Sequence, residues 1–148
     1  MASDDREVLG AVARLLREHA DRLDAAITAD ELAGFAVRYY RRCLAEDSGG
    51  EFAETREQAA QSLWQWYVAL AAQEPVPQAV LDALRRLLAE LLCQGDAELS
   101  RVLVSSCLEH LFESRRIALS FVAWYDDPAL RPAYEQALAW GSAFWERN

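Results

Sequence analysis

The chain has 148 residues, of which 53% are hydrophobic, and a formal net charge of −9 at pH 7. A chain of this length can bury a core without disulfides or metal, so residues 1–148 are expected to form one helical domain. The negative charge repels phosphate backbones and anionic lipid surfaces, which argues against nucleic acid or a membrane as the partner.

Three cysteines, Cys43, Cys93 and Cys107, stand far apart in apolar surroundings. Their odd number and wide spacing favour free thiols over a disulfide framework. The first residues lack a basic region and a hydrophobic run of signal length, and no apolar stretch approaches a membrane span. These features together predict a cytoplasmic location.

Apolar residues recur along the chain with the spacing of amphipathic helices. The first predicted helix covers residues 4–27. A capping box from Thr28 to Glu31 opens a second helix, which runs to about Glu46. Asp47–Gly50 forms a loop because two glycines cannot propagate a helix cheaply, and a third helix covers residues 51–73.

Pro75 and Pro77 break the chain before a fourth helix with a leucine-rich stripe, which Gly95 should end. Residues 96–125 are apolar nearly all round, which predicts central, covered helices with a break at 113–116. Asp127 and Pro128 then restart the final helix, with Asp as its cap. The prediction is an all-α fold: a compact antiparallel bundle of six or seven helices. A stack of three helical hairpins is the alternative.

Residue patterns that support catalysis or metal binding are weak. Gly-x-Ser-x-Gly elbows and glycine-rich phosphate loops do not occur in the sequence. Cys107 and His110 share a helix face, but two ligands make only half a zinc site, and neither His19 nor His110 follows a Glu by three residues. We therefore expect no enzyme activity, no metal and no cofactor.

One short segment gives an enzymatic alternative. Arg14 and His19 match the Arg-x4-His pattern of the small helical ribonucleases called HEPN domains, which the segment resembles over six residues. That family carries the motif late in the chain and usually has a polar residue after the arginine, whereas this copy is N-terminal and has Leu15. A HEPN-like ribonuclease is thus the named alternative function.

Acidic residues gather across the first loop and the start of the third helix. They suit a basic partner, although helix-dipole complementation and solvation also explain them. The segment contains Glu46, Asp47, Glu51, Glu54 and Glu57, and only Arg56 offsets their negative charge.

Aromatic residues form the second candidate binding feature. Trp64 and Trp140 each lie to one side of their helix's apolar stripe, where indoles either contact a partner or cover a second core contact. The corner formed by Trp124, Tyr125, Asp126 and Asp127 adds aromatic and acidic groups. Binding is predicted at the acidic segment or at this corner, with Trp64 and Trp140 as secondary candidates.

The segments Ser106–Leu111, Phe121–Pro128 and Ala139–Gly141 resemble small all-helical immunity proteins of bacterial polymorphic toxin systems. The shared features are an apolar helix, a short acidic turn that contains proline, and a Trp-Gly pair near the C-terminus. This resemblance implies a tight cytoplasmic complex that blocks a cognate toxin domain, which would be basic if charge complementarity guides binding. Two other functions stay open: a bundle with a buried ligand pocket lined by Trp66, Tyr67 and Trp124, and a homo-oligomeric structural protein.

Overall fold

The computed structural model describes residues 29–46 and 55–147, and every regular element within these ranges is helical. Six α-helices follow one another in these ranges, and short π or 3₁₀ segments continue, interrupt or follow four of them. The predicted all-α fold is confirmed for the described residues, which contain no strand. The predicted first helix and the capping box at Thr28 lie outside the described ranges.

The helices are labelled in chain order. Helix α1 is Ala29–Arg41 and continues as a π-helical turn, Arg42–Glu46. Helices α2 and α3 are Arg56–Ala71 and Gln78–Leu92. Helix α4 combines Ala97–Leu103, a π-helical stretch at Val104–Leu108 and a last turn at Glu109–Leu111. Helix α5 is Arg115–Leu119, and a 3₁₀ segment follows at Val122–Asp126. Helix α6 is Arg131–Gly141 and ends in a 3₁₀ segment, Ser142–Arg147.

Helix α2 begins later than predicted. Its N-cap is Thr55, whose side chain accepts the backbone N–H of Gln58 at 3.2 Å, while the Gln58 side chain accepts the Thr55 N–H at 3.0 Å. This capping box satisfies two backbone donors that a helix start leaves unpaired, so the helix begins at Arg56 rather than at residue 51.

Within the described residues, the breaks predicted at Pro75 and Pro77, at Gly95 and at 113–116 are confirmed, and the restart at Asp127 needs one adjustment; the loop predicted at Asp47–Gly50 lies outside the described ranges. Gly95 has a φ of +82°, the left-handed conformation that glycine adopts without a steric penalty, and it separates α3 from α4. Ser114 caps α5 within the predicted break. Asp127 accepts the Ala129 backbone N–H at 2.9 Å and thus caps a turn at 128–130, so the regular part of α6 begins only at Arg131.

Helix α4 lies at the centre of the described core, where it contacts α2, α3 and α6, while α1 packs along α3. Its buried residues surround most of its circumference, which confirms the prediction of a covered helix for α4; they are Leu99, Val102, Leu103, Val104, Ser106, Cys107, Leu108 and Leu111. The same prediction is wrong for residues 115–125, where Leu119, Val122 and Tyr125 are exposed because this segment lies at the edge of the core. A continuous core of this kind holds the bundle together mainly through apolar burial.

Polar contacts tie neighbouring helices together at the edges of this core. The Tyr40 hydroxyl of α1 lies 2.9 Å from the Ser62 hydroxyl of α2, and both residues are buried. Arg85 donates to the Tyr67 hydroxyl at 2.9 Å, joining α3 to α2. Within the described residues, no helix is long and apolar enough to cross a membrane.

Candidate partner-binding surface

The predicted acidic segment is only partly described. Asp47, Glu51 and Glu54 lie outside the described residues, and Glu46 is the last residue of the π-helical turn after α1. Glu57 is exposed in the first turn of α2, where a carboxylate complements the positive end of the helix dipole. The dipole therefore accounts for Glu57, and the role of the whole segment in binding stays a prediction.

At the predicted corner, the structure divides Trp124 from its three neighbours. Trp124 is only 8% exposed and packs edge-on against Phe121, with ring centroids 5.0 Å apart. Its indole therefore belongs to the core and supports the corner from below. Tyr125, Asp126 and Asp127 are exposed and form the accessible part of the corner.

Tyr125 is held in place by contacts with α6. The Arg131 guanidinium lies 3.9 Å from the centroid of the Tyr125 ring, and it also donates a hydrogen bond to the Tyr125 hydroxyl. Arg131 Nε donates to Glu135 at 3.0 Å. This bond, and more weakly the contact with Tyr125, raise the pKa of Arg131, so the guanidinium stays a cation. The buried Tyr134 ring stands edge-on to Tyr125 at 6.3 Å.

A cleft of about 440 Å³ opens beside this stack. Its walls combine an aromatic ring, two prolines and three charged groups; they are Tyr125, Asp126, Pro128, Arg131, Pro132 and Glu135. Shallow clefts that mix apolar surface with a few oriented polar groups are suited to recognising a side chain of a partner.

Leu119 and Val122 extend the apolar part of the corner, and neither was predicted as a binding residue. Leu119 is 61% exposed at the end of α5, and Val122 is 56% exposed at the start of the 3₁₀ segment. A 3₁₀ helix has three residues per turn, so Val122 and Tyr125 share one face. The available signal was their position beside the buried stripe of Ile117, Phe121 and Trp124. We call Leu119, Val122, Tyr125, Asp126 and Asp127 the corner surface.

The two edge indoles differ in exposure. Trp64 of α2 is half-buried, and its ring stands 5.1 Å from the His110 ring at an angle of 63°. Trp140 of α6 is 46% exposed. Its indole N–H donates to Glu113 Oε2 at 3.3 Å, and the same oxygen lies 2.9 Å from His110 Nδ1. The fold thus brings both predicted indoles to one cluster, through His110 and Glu113.

Cys107, Trp66 and Tyr67 lie in the packed core. Cys107 is buried, and burial raises the pKa of its thiol, whereas His110 lies at the surface and pairs with Glu113. Among the described residues, no three His, Cys, Asp or Glu side chains converge as metal ligands would. Trp66 and Tyr67 are buried against the aromatic rings of Tyr40 and Phe121. Arg14 and His19 lie outside the described residues.

Comparison of the chain with protein-family models, with curated proteins and with solved structures finds no match.

Proposed function

We propose that this chain is a non-catalytic protein-binding domain, an immunity protein that neutralises a cognate bacterial toxin by forming a tight complex in the cytoplasm. The observation that carries the proposal is the corner surface. Three of the five large hydrophobic side chains that the described residues expose, Leu119, Val122 and Tyr125, lie within seven residues of one another.

Adjacent exposed apolar side chains are costly in water unless a partner covers them, and patches of this kind commonly mark protein–protein interfaces. The corner surface also has the composition of a binding hot spot, because an aromatic anchor stands next to aliphatic groups and is bordered by carboxylates. Asp126 and Asp127 supply negative charge at its rim, which would accelerate the capture of a basic partner.

The corner surface is also well supported. Trp124 packs beneath it against Phe121, and Tyr125 is held between Arg131 and Tyr134. A side chain already fixed in one orientation loses little conformational entropy when a partner binds, so more of the contact energy appears as affinity. Tight inhibition without chemistry requires such a rigid surface.

The proposal is tested by growth protection. If a toxin domain is encoded beside this gene, cells that express that domain should survive when the wild-type chain is co-expressed. Val122→Arg should abolish that protection, because it places a cation in the apolar centre of the surface and faces a basic partner with like charge.

Val68→Arg is the matched control, since Val68 is also an exposed valine, 40% accessible, but lies on α2 outside the corner surface. Circular dichroism should show equal helicity for both variants. Equal protection by Val122→Arg and Val68→Arg would refute the corner surface, and failure of the wild-type chain to protect would refute the immunity function for that toxin.

A further inference from the structure

A second surface feature lies at the end of α4, where two carboxylates stand beside the most exposed indole among the described residues. We call Trp64, Glu109, His110, Glu113 and Trp140 the Trp140 site. It joins three helices, because Trp64 belongs to α2, Glu109 and His110 to α4, and Trp140 to α6, with Glu113 in the turn after α4.

Hydrogen bonds fix the geometry of this site before any ligand arrives. Glu113 Oε2 accepts from the Trp140 indole at 3.3 Å and from His110 Nδ1 at 2.9 Å. The Phe144 ring lies 5.9 Å from the Trp140 ring, and Trp64 stands against His110 at 5.1 Å. Glu109 Oε2 accepts from Gln136 at 3.3 Å. In these contacts each carboxylate uses a single oxygen, Oε2.

Among the described residues, the carboxylates of this site differ from many others because no arginine pairs with them. Arginines pair with Asp82, Glu90, Asp96, Glu98 and Glu135 elsewhere in the described structure. Glu109 forms no ion pair there, and Glu113 pairs only with His110. Glu109 and Glu113 both contact α6, through Gln136 and Trp140, so the two carboxylates border the same joint between α4 and α6. A cation bound at this joint would be attracted by both charges.

The geometry points to a site that binds an arginine side chain of the basic partner, and this inference rests on the proposed function. A guanidinium is planar and carries five N–H donors, so it can stack on the exposed Trp140 face while donating to the free oxygens of Glu109 and Glu113. A lysine ammonium is a compact, strongly hydrated charge and satisfies this combination less well. The net charge of −9 favours the approach of such a partner.

The test uses a hexa-arginine peptide as the probe and the full chain as the receptor. Calorimetry at low salt gives the affinity, and the five indole N–H resonances of the ¹⁵N-labelled chain report the location. The Trp140 resonance should shift on titration while that of the buried Trp66 stays in place. Hexa-arginine should bind more tightly than hexa-lysine.

Trp140→Ala should weaken hexa-arginine binding by about three- to thirtyfold, the range expected for loss of a cation–π contact. Glu113→Gln should weaken it by about three- to tenfold, because it removes a charge-assisted hydrogen bond at the surface. Glu74→Gln is the matched control: the same charge is removed from an exposed glutamate outside the site, and the affinity should not change.

Equal weakening by Glu113→Gln and Glu74→Gln would mean that the peptide responds only to overall charge, and it would overturn the site. So would unchanged affinity in Trp140→Ala. A dimer of the free chain that dissociates in Trp140→Ala, seen by sedimentation, would assign this face to a second copy and also overturn it. The outcome is separable from the proposed function, because hexa-arginine contains no toxin surface and growth protection is tested at Val122.

Discussion

Replacing Gly141 by alanine should destabilise the bundle, although alanine is the better helix former. Gly141 lies in α6 where it crosses the end of α4, and a Cβ added there would stand 2.2 Å from the Phe112 carbonyl oxygen and 2.4 Å from its carbon. Both atoms belong to the backbone, so no side-chain rotation relieves the clash and the two helices must separate. The same carbonyl accepts a hydrogen bond from the Trp145 indole at 2.9 Å, which separation would weaken.

The expected loss follows from three contributions. Overpacking a well-filled contact costs about 1–3 kcal/mol. Weakening the Trp145 hydrogen bond costs up to about 1 kcal/mol. The higher helix propensity of alanine returns about 1 kcal/mol. The free energy of unfolding should therefore fall by about 2 kcal/mol, which lowers the melting temperature of a domain of this size by about 4–8 °C.

Gly34→Ala provides the control, because Gly34 is exposed in the middle of α1 and a Cβ there meets no atom within 4 Å. Only the propensity gain remains, so this variant should be stabilised by about 1 kcal/mol. Urea unfolding monitored by circular dichroism measures both. A Gly141→Ala variant as stable as wild type, or a shift of both variants in the same direction, would show that the contact with Phe112 does not limit stability. Trp145→Phe keeps the ring and removes the donor, which isolates the hydrogen-bond contribution.

Three further changes probe local features of the structure. Arg56 is largely buried, donates to the Leu44 carbonyl at 2.7 Å and approaches Asp96 and Glu98, so Arg56→Met should lower the free energy of unfolding by about 1.5–3 kcal/mol. Arg101→Met, at an exposed site, should change it by less than about 0.5 kcal/mol. Urea titration measures both variants, and equal effects would show that the contacts of Arg56 do not stabilise the fold. Thr55→Ala should cost about 1 kcal/mol by removing the cap of α2, and an unchanged unfolding midpoint would show that the cap contributes nothing. Cys93 is exposed, whereas burial raises the pKa of Cys107, so a thiol reagent should label Cys93 rapidly at pH 8 and Cys107 only on unfolding. Rapid labelling that persists in Cys93→Ser would be inconsistent with the burial of Cys107.

The sequence predicts the helical class and most boundaries because those depend on local signals. A period-3.6 stripe marks α3, apolar residues nearly all round mark α4, and local turn chemistry at Gly95 and Ser114 separates α4 from its neighbours. The predicted start of α2 is wrong although its capping box is present in the sequence, because acidic residues at 51–54 are equally typical of the first turn of a helix.

The candidate surfaces were harder to predict because they depend on contacts between distant helices. Trp124 and Tyr125 are neighbours in the sequence, yet one is core and the other is exposed, since the 3₁₀ segment turns them to different sides. The hydrogen bond between Trp140 and Glu113 joins residues 27 positions apart, and the apolar periodicity of a single helix does not indicate it. A sequence pattern shows which face of a helix is apolar, but not which helix covers its edge.

The carboxylates that can steer a basic partner are those that no arginine of the chain neutralises. Four arginines of the described residues, Arg41, Arg56, Arg85 and Arg131, are engaged with carboxylates of the same chain. The excess negative charge must therefore reside in carboxylates without such partners, and these are the groups that can attract a basic protein. Because physiological salt screens charges beyond about 8 Å, only those bordering the interface can steer association appreciably.

Steering by the corner surface should therefore depend on Asp126 and Asp127 rather than on the acidic segment. Asp126→Asn with Asp127→Asn should slow association with the toxin domain and flatten its salt dependence, while dissociation changes little, because rim charges act mainly on the on-rate. The amide introduced by Asp127→Asn retains an oxygen that can accept the Ala129 N–H, so the turn before α6 should persist. Stopped-flow mixing at several salt concentrations measures the effect, with Glu51→Gln and Glu54→Gln as the variant of equal charge change. If that variant slows capture and the corner variant does not, the partner approaches through the acidic segment, because steering follows the charges nearest the interface.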